Sequence, residues 1–171
     1  MVKRVILAVA GAGKTYKLCH DIDPERRNLI LAYTNQNIDN IRNELIKAFG
    51  KVPERTTIFT FHKFIYRCFV CPYEPFILES FGVKRFKRDH ITVAKPPDKV
   101  IQRNGLTFTN PRYIIDSNFG HYVLGNDYYC CYLSKLILKA GDVFQLAIKN
   151  INKFFEDIYI DEFQDYRKYD F

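Results

Sequence analysis

Near the start of the chain, Ala8-Val9-Ala10-Gly11-Ala12-Gly13-Lys14-Thr15 brings small residues, a lysine and a hydroxyl together in a spacing that suits phosphate chemistry. The run fits G-x-x-x-x-G-K-[ST] except at its first position, where Ala8 stands in place of glycine. Backbone N–H groups of such a turn wrap around phosphate oxygens, and side chains at Gly11 and Gly13 would block that approach. Lys14 then puts a point charge on the β- and γ-phosphates, and the Thr15 hydroxyl ligates Mg²⁺. Far along the chain, Asp161-Glu162 offers the carboxylates this chemistry needs. Asp161 is placed to hold Mg²⁺ directly or through water, and Glu162 to orient and deprotonate an attacking water. Taken alone, the glycine-rich run reads equally as a turn and the acidic pair as the start of a loop. Together they predict a nucleotide site using ATP and Mg²⁺.

The elements expected to position these residues alternate strand and helix. Val5–Val9 is a short apolar run of the kind buried on both faces in a parallel sheet. It leads into the glycine-rich turn and a helix that must end before Pro24. Leu29–Tyr33 reads as a second strand. The next helix has apolar Ile38, Ile41, Leu45, Ile46 and Phe49 on one stripe and Gly50 as its C-cap. Thr57–Thr60 reads as a third strand, continuing into a helix through Phe64, Ile65 and Phe69. From Pro72 to Gly125 the alternation dissolves, with short strands expected at Leu106–Phe108 and Tyr113–Ile115. A helix from Tyr128 to Lys139 ending at Gly141 follows. A second is N-capped by Asp142, with apolar Phe144, Ala147, Ile148, Ile151, Phe154 and Phe155. Ile158-Tyr159-Ile160 forms the last strand and delivers Asp161-Glu162 to its carboxyl end, the edge where open α/β sheets bind ligands. The expected fold is α/β, a parallel sheet with helices on both faces. Its core comprises residues 1–71 and 126–171, and an insertion spans 72–125.

The chain has 171 residues, 47% hydrophobic and 26% charged, as in a folded globular protein rather than a disordered one. No apolar run approaches the roughly 20 residues of a membrane-spanning helix, so no membrane partner is expected. The positive, then apolar start Met1–Ala10 resembles a secretory signal. Gly11–Thr15 follows it directly, so a cytoplasmic location is expected. Of the formal net charge of +7, most lies between Val83 and Arg103, in Lys84, Arg85, Lys87, Arg88, Lys95, Lys99 and Arg103 against Asp89 and Asp98. Such a patch suits a polyphosphate partner, nucleic acid above all, or serves as a solvated surface. Cys68, Cys71, Cys130 and Cys131 have spacings that could hold a metal. Their apolar aromatic neighbours and the unusual adjacent pair favour buried free thiols instead.

Four segments in order resemble the motifs of UvrD/Rep-like superfamily 1 DNA helicases. Ala10–Thr15 is similar to motif I, Ala32-Tyr33-Thr34-Asn35-Gln36-Asn37 to motif Ia, Thr60-Phe61-His62-Lys63-Phe64 to motif Ib, and Asp161-Glu162-Phe163-Gln164-Asp165 to motif II. The resemblance implies a RecA-like P-loop NTPase domain, the first motor domain of such a helicase, with Gln164 joining Lys14 and Glu162 in catalysis. It also implies that Tyr33 stacks on a base of single-stranded DNA while Thr34, Asn35, Thr60 and His62 lie along its backbone. Read from the residues alone, Tyr33 serves equally as a core aromatic at a strand end, and His62 as a helix N-terminal residue bonded to a carbonyl. The insertion corresponds to the family's 1B subdomain, which approaches duplex DNA.

The family's glutamine segment that reads adenine has no counterpart before Val5, which leaves base selectivity open. Motifs III to VI and the second motor domain have no counterpart after motif II. The chain by itself is therefore expected to be truncated, to bind Mg-nucleotide weakly, to turn it over very slowly and to unwind nothing. Two other readings stand beside this one. The first is a stand-alone P-loop module acting through a protein partner. The second is a small P-loop kinase with Lys84–Arg88 as its lid, against which Asp161–Asp165 argues.

Overall fold

The computed structural model describes residues 13–162. The expected strand Val5–Val9, the loop residues Ala8, Val9, Ala10, Gly11 and Ala12, and Gln164 lie outside the described residues. The chain divides into two compact units, one holding residues 13–64 and 148–162 and the other 65–147. Residues 65–71 and 126–147 thus belong with the unit that contains the expected insertion. No described helix is long and apolar enough to cross a membrane.

The first unit is α/β. Helix α1 (Lys14–His20) leads to strand β1 (Asn28–Ala32), then α2 (Asn35–Phe49), β2 (Thr56–Thr60) and the short α3 (Phe61–Phe64). In β1 every residue is buried, the pattern of a strand covered on both faces. Ile30 and Ala32 face a cluster with Cys19 and Ile22 from α1 and its loop and Ile38, Ile41 and Leu45 from α2. Leu29 and Leu31, which alternation turns to the opposite face, are equally hidden. Thr34 caps α2 by accepting the Asn37 N–H at 3.1 Å, and its hydroxyl donates to Asn37 Oδ1 at 2.9 Å. Such a cap contributes about 1 kcal/mol. Gly50 closes α2 in the left-handed region at φ 75°, where its N–H meets the Ile46 carbonyl at 2.8 Å. The expected apolar stripe is narrower than its sequence: Ile46 is 47% exposed, because the sheet covers only the Ile38–Ile41–Leu45 line.

The second unit starts with a π-helical turn at Ile65–Val70 and a 3₁₀ turn at Cys71–Tyr73, in place of a continued α-helix. Its further elements are α4 (Glu74–Ser80), β3 (Ile91–Thr92), β4 (Val100–Arg103), β5 (Leu106–Thr109), β6 (Val123–Leu124), β7 (Asp127–Tyr129) and α5 (Leu133–Lys139). Strands β4 and β5 form a hairpin around Asn104 (φ 50°) and Gly105 (φ 75°), the two positive angles that a tight two-residue turn demands. The three-stranded sheet β3–β7–β6 mixes parallel and antiparallel pairs. Two sequence expectations fail here. Tyr113–Ile115 is coil, its Ile114 carbonyl taken by His121 Nδ1 at 2.6 Å rather than by a strand neighbour. The helix expected from Tyr128 begins only at Leu133, because Tyr128 and Tyr129 are held in β7.

Helix α6 (Asp142–Phe154) spans the boundary between the units, and β8 (Asp157–Ile160) completes the first. Asp142 is the first helical residue rather than the cap before it. Phe154 points outward, 59% exposed, while Ala147, Ile151 and Phe155 are buried. Strand β8 pairs parallel with β1, which pairs parallel with β2, so the sheet order is β2–β1–β8. All three strands present their carboxyl ends at the same edge.

Candidate functional site

That edge gathers the residues singled out by their chemistry. Strand β8 ends in Asp161 and Glu162, and the Asp161 N–H still bonds the Leu31 carbonyl at 2.8 Å, so the pair leaves the sheet directly. Glu162 then adopts φ 52°, a left-handed angle that a residue with a Cβ holds only against a cost. The Glu162 carboxylate lies 4.0 Å from Lys14 Nζ. Lys14 opens α1 immediately after Gly13, whose own φ of 73° requires glycine. Thr15, next on the helix, lies close enough to the Asp161 carboxylate to favour its charged form.

Asp161 is 6% exposed. Its burial, and then the neighbouring Glu162, raise its pKa above the usual carboxylate range; the bonds from the Glu162 N–H and Thr15 and the charge of Lys14 oppose this. A cation beside the two carboxylates would offset the same repulsion. The donor set of Thr15 and Asp161 is all oxygen, the hard ligands that Mg²⁺ takes, and so fits that ion. Among the described residues no group of three His, Cys, Asp or Glu side chains forms a metal site. The pair Thr15–Asp161 would have to share an Mg²⁺ ion with other oxygen ligands, as phosphate-bound magnesium does.

The residues after β1 and β2 stand along the same edge, on the two strands beyond β8. Tyr33 is half-buried and His62 half-buried, and their rings meet at 5.9 Å with planes 60° apart. Ala32 and Thr60 are register partners, which explains why the two segments arrive together. Asn35 is exposed in the first turn of α2. The hydroxyls of Thr34 and Thr60 both serve the chain itself: Thr34 caps α2, and Thr60 accepts the Lys63 N–H at 3.3 Å at the start of α3. A threonine at the end of a parallel strand is thus explained at both places by the helix that follows.

Sequence reasoning gave no role to Tyr16 and His20, four residues apart on α1. Tyr16 is 59% exposed and its ring stacks on His20 with centroids 3.8 Å apart. The i,i+4 spacing of two rings on a helix was the available signal.

The basic stretch and four of the five cysteines belong to the second unit. Lys84, Arg85 and Lys87 are exposed, but Arg88 turns inward, pairing with Glu74 at 3.0 Å and donating to the Cys71 carbonyl at 3.4 Å. Lys95 is paired with Asp98. Only Cys19, in the first unit, is a fully buried thiol; burial pushes it up to about 12. Cys68, Cys71 and Cys130 are half-buried and Cys131 is exposed, since short turns rather than helix interiors carry them.

No family model matches the chain, and no curated protein and no solved structure matches it either.

Proposed function

We propose that the chain is the nucleotide-binding first motor domain of a UvrD/Rep-like superfamily 1 helicase, a RecA-like P-loop NTPase that couples ATP to single-stranded DNA. The observation that carries the reading is the meeting of Lys14 and Thr15 with Glu162 and Asp161, residues separated by most of the chain, at the carboxyl edge of a parallel sheet. Lys14 binds the terminal phosphates. Thr15 and Asp161 hold Mg²⁺, which neutralises phosphate charge when bound. Glu162 orients the attacking water and accepts its proton; its backbone bend keeps the carboxylate near Lys14 rather than along the strand. Tyr33, Asn35 and His62 supply an aromatic and polar surface for a single strand on the neighbouring strand ends. Thr34 and Thr60 act chiefly by fixing the helices that carry it.

Titration of the chain with Mg-ATP tests this. Wild-type protein is expected to bind, and Lys14→Ala to bind about 100-fold more weakly, as when one member of a desolvated charge pair is removed. Glu162→Gln is expected to keep binding and lose hydrolysis. Equal affinity of wild type and Lys14→Ala would overturn the assignment.

A further inference from the structure

Tyr16 occupies the helix position next to Thr15, yet among the described residues the packing of α1 does not call for an aromatic there. The helix buries Cys19 against α2, where the thiol donates to the Ile41 carbonyl at 3.8 Å, and turns Tyr16 and His20 outward. Tyr16 is 59% exposed, and its ring lies nearly flat on the His20 imidazole, with planes 24° apart. His20 Nδ1 stands 2.8 Å from the Tyr16 carbonyl, a bond that fixes the imidazole as backing for the phenol ring. A Cβ on Gly13 would lie 4.0 Å from the Tyr16 Cβ, so the ring is rooted beside the turn that precedes Lys14. Lys17 and Asp21, the other charged groups on this helix face, are paired with each other at 2.9 Å.

We propose that the stacked Tyr16–His20 pair is the base platform of the nucleotide site, taking a purine by ring stacking and reading it without hydrogen bonds. The proposal rests on Lys14 and Thr15 holding the triphosphate. It names the substrate class as purine nucleoside triphosphates, ATP and GTP alike, because a bare aromatic face accepts any flat ring and distinguishes bases by stacking area. Tyr16 binds the base with its open face; His20 is a positioning residue that keeps the ring from rotating away.

Calorimetric titration of the full chain with Mg-ATP, Mg-GTP and Mg-tripolyphosphate separates the parts. ATP and GTP are expected to bind with similar affinity, each about 5- to 150-fold tighter than tripolyphosphate. Tyr16→Ala should bring both nucleotides to the tripolyphosphate level and leave tripolyphosphate unchanged. Tyr16→Phe should preserve the preference, and His20→Ala should reduce it in part. Since both side chains are on the outer face, thermal melting should not distinguish these variants from wild type. Equal binding of ATP and tripolyphosphate by wild type, a strong preference for ATP over GTP, or an equal loss of all three ligands in Tyr16→Ala would overturn the platform while leaving the phosphate site standing. Failure of wild type to bind any of the three would overturn the phosphate site and the platform together.

Discussion

The two units solve the problem of stability by different means. In the first, a central strand hidden on both faces is bracketed by two parallel neighbours, and aliphatic residues from α1 and α2 close over it. In the second, strands are two to four residues long, and rings and side-chain polar bonds add to buried aliphatic residues such as Ile77, Leu133 and Leu136. Phe86 meets Phe119 at 5.0 Å and Tyr128 at 5.2 Å edge-on, and Phe81 meets Tyr122 at 5.4 Å. Tyr128 donates to Glu74 at 2.9 Å, and Arg88 pairs with the same carboxylate. The contrast teaches where chemistry can be placed. A ladder of parallel strands fixes its carboxyl ends to within the spacing of neighbouring strands, about 4.8 Å, and so brings distant sequence positions together at a chosen edge. A unit whose strands are two to four residues long offers a shorter ruler.

The comparison can be broken most directly at Ile30, which is fully buried in the central strand. Ile30→Ala should cost about 2–5 kcal/mol, read by denaturant unfolding, with amide protection lost first in β1, β2 and β8. A cost under about 1 kcal/mol would mean that the aliphatic cluster is not what holds the first unit.

A smaller effect is expected at Tyr128 in the second unit. Tyr128→Phe removes one bond to Glu74 but leaves Arg88 as that carboxylate's partner, so a loss of about 0.5–1.5 kcal/mol is expected. Loss of protection confined to β7 and α4 would support the polar-bond description, and no measurable change would refute it.

The smallest effect is a pH dependence. His121 is buried, with Nδ1 bonded to the Ile114 carbonyl, its ring stacked on Tyr132 at 4.4 Å and Lys135 Nζ 3.4 Å from Nε2. Burial lowers its pKa below 6.5; the nearby Lys135 adds to this, while the Ile114 bond and Asp116 oppose it. The unfolded chain therefore takes up the proton first. The contribution of neutral His121 is complete above the ordinary value of about 6.5 and is lost as pH falls from there towards the folded value. Hydrogen exchange across residues 114–139 should quicken over that range, and His121→Gln should abolish the dependence.

These differences also decide what the sequence could announce. Continuous apolar runs such as Leu29–Ala32 and Ile158–Ile160 signal a buried strand by composition alone, and the structure places both in the sheet. The stripe at Ile38, Ile41 and Leu45 and the glycine after it likewise announced α2. Lys14, Thr15, Asp161 and Glu162 stood out as types unusual together, and the structure brings Lys14 Nζ to 4.0 Å from the Glu162 carboxylate. Tyr113–Ile115 was not, since β-branched residues there serve a loop whose carbonyl is claimed by His121. Nor was the inward turn of Arg88, which depends on Glu74 reaching it from another element. Pairings of that sort carry no local periodicity.

One side chain at the opposite edge of the sheet shapes all of this. Asn28 is wholly buried at the start of β1, its amide donating to the carbonyls of Asp23 at 2.8 Å and Arg26 at 2.9 Å, while its Oδ1 has no hydrogen-bond partner among the described residues. An amide so enclosed acts as a pin for strand alignment. Sliding β1 by one position would break its amide contact with Thr56 Oγ1 on β2, at 3.5 Å, and turn the polar group to the wrong side. The edge without chemistry thereby sets the alignment that the reactive edge inherits.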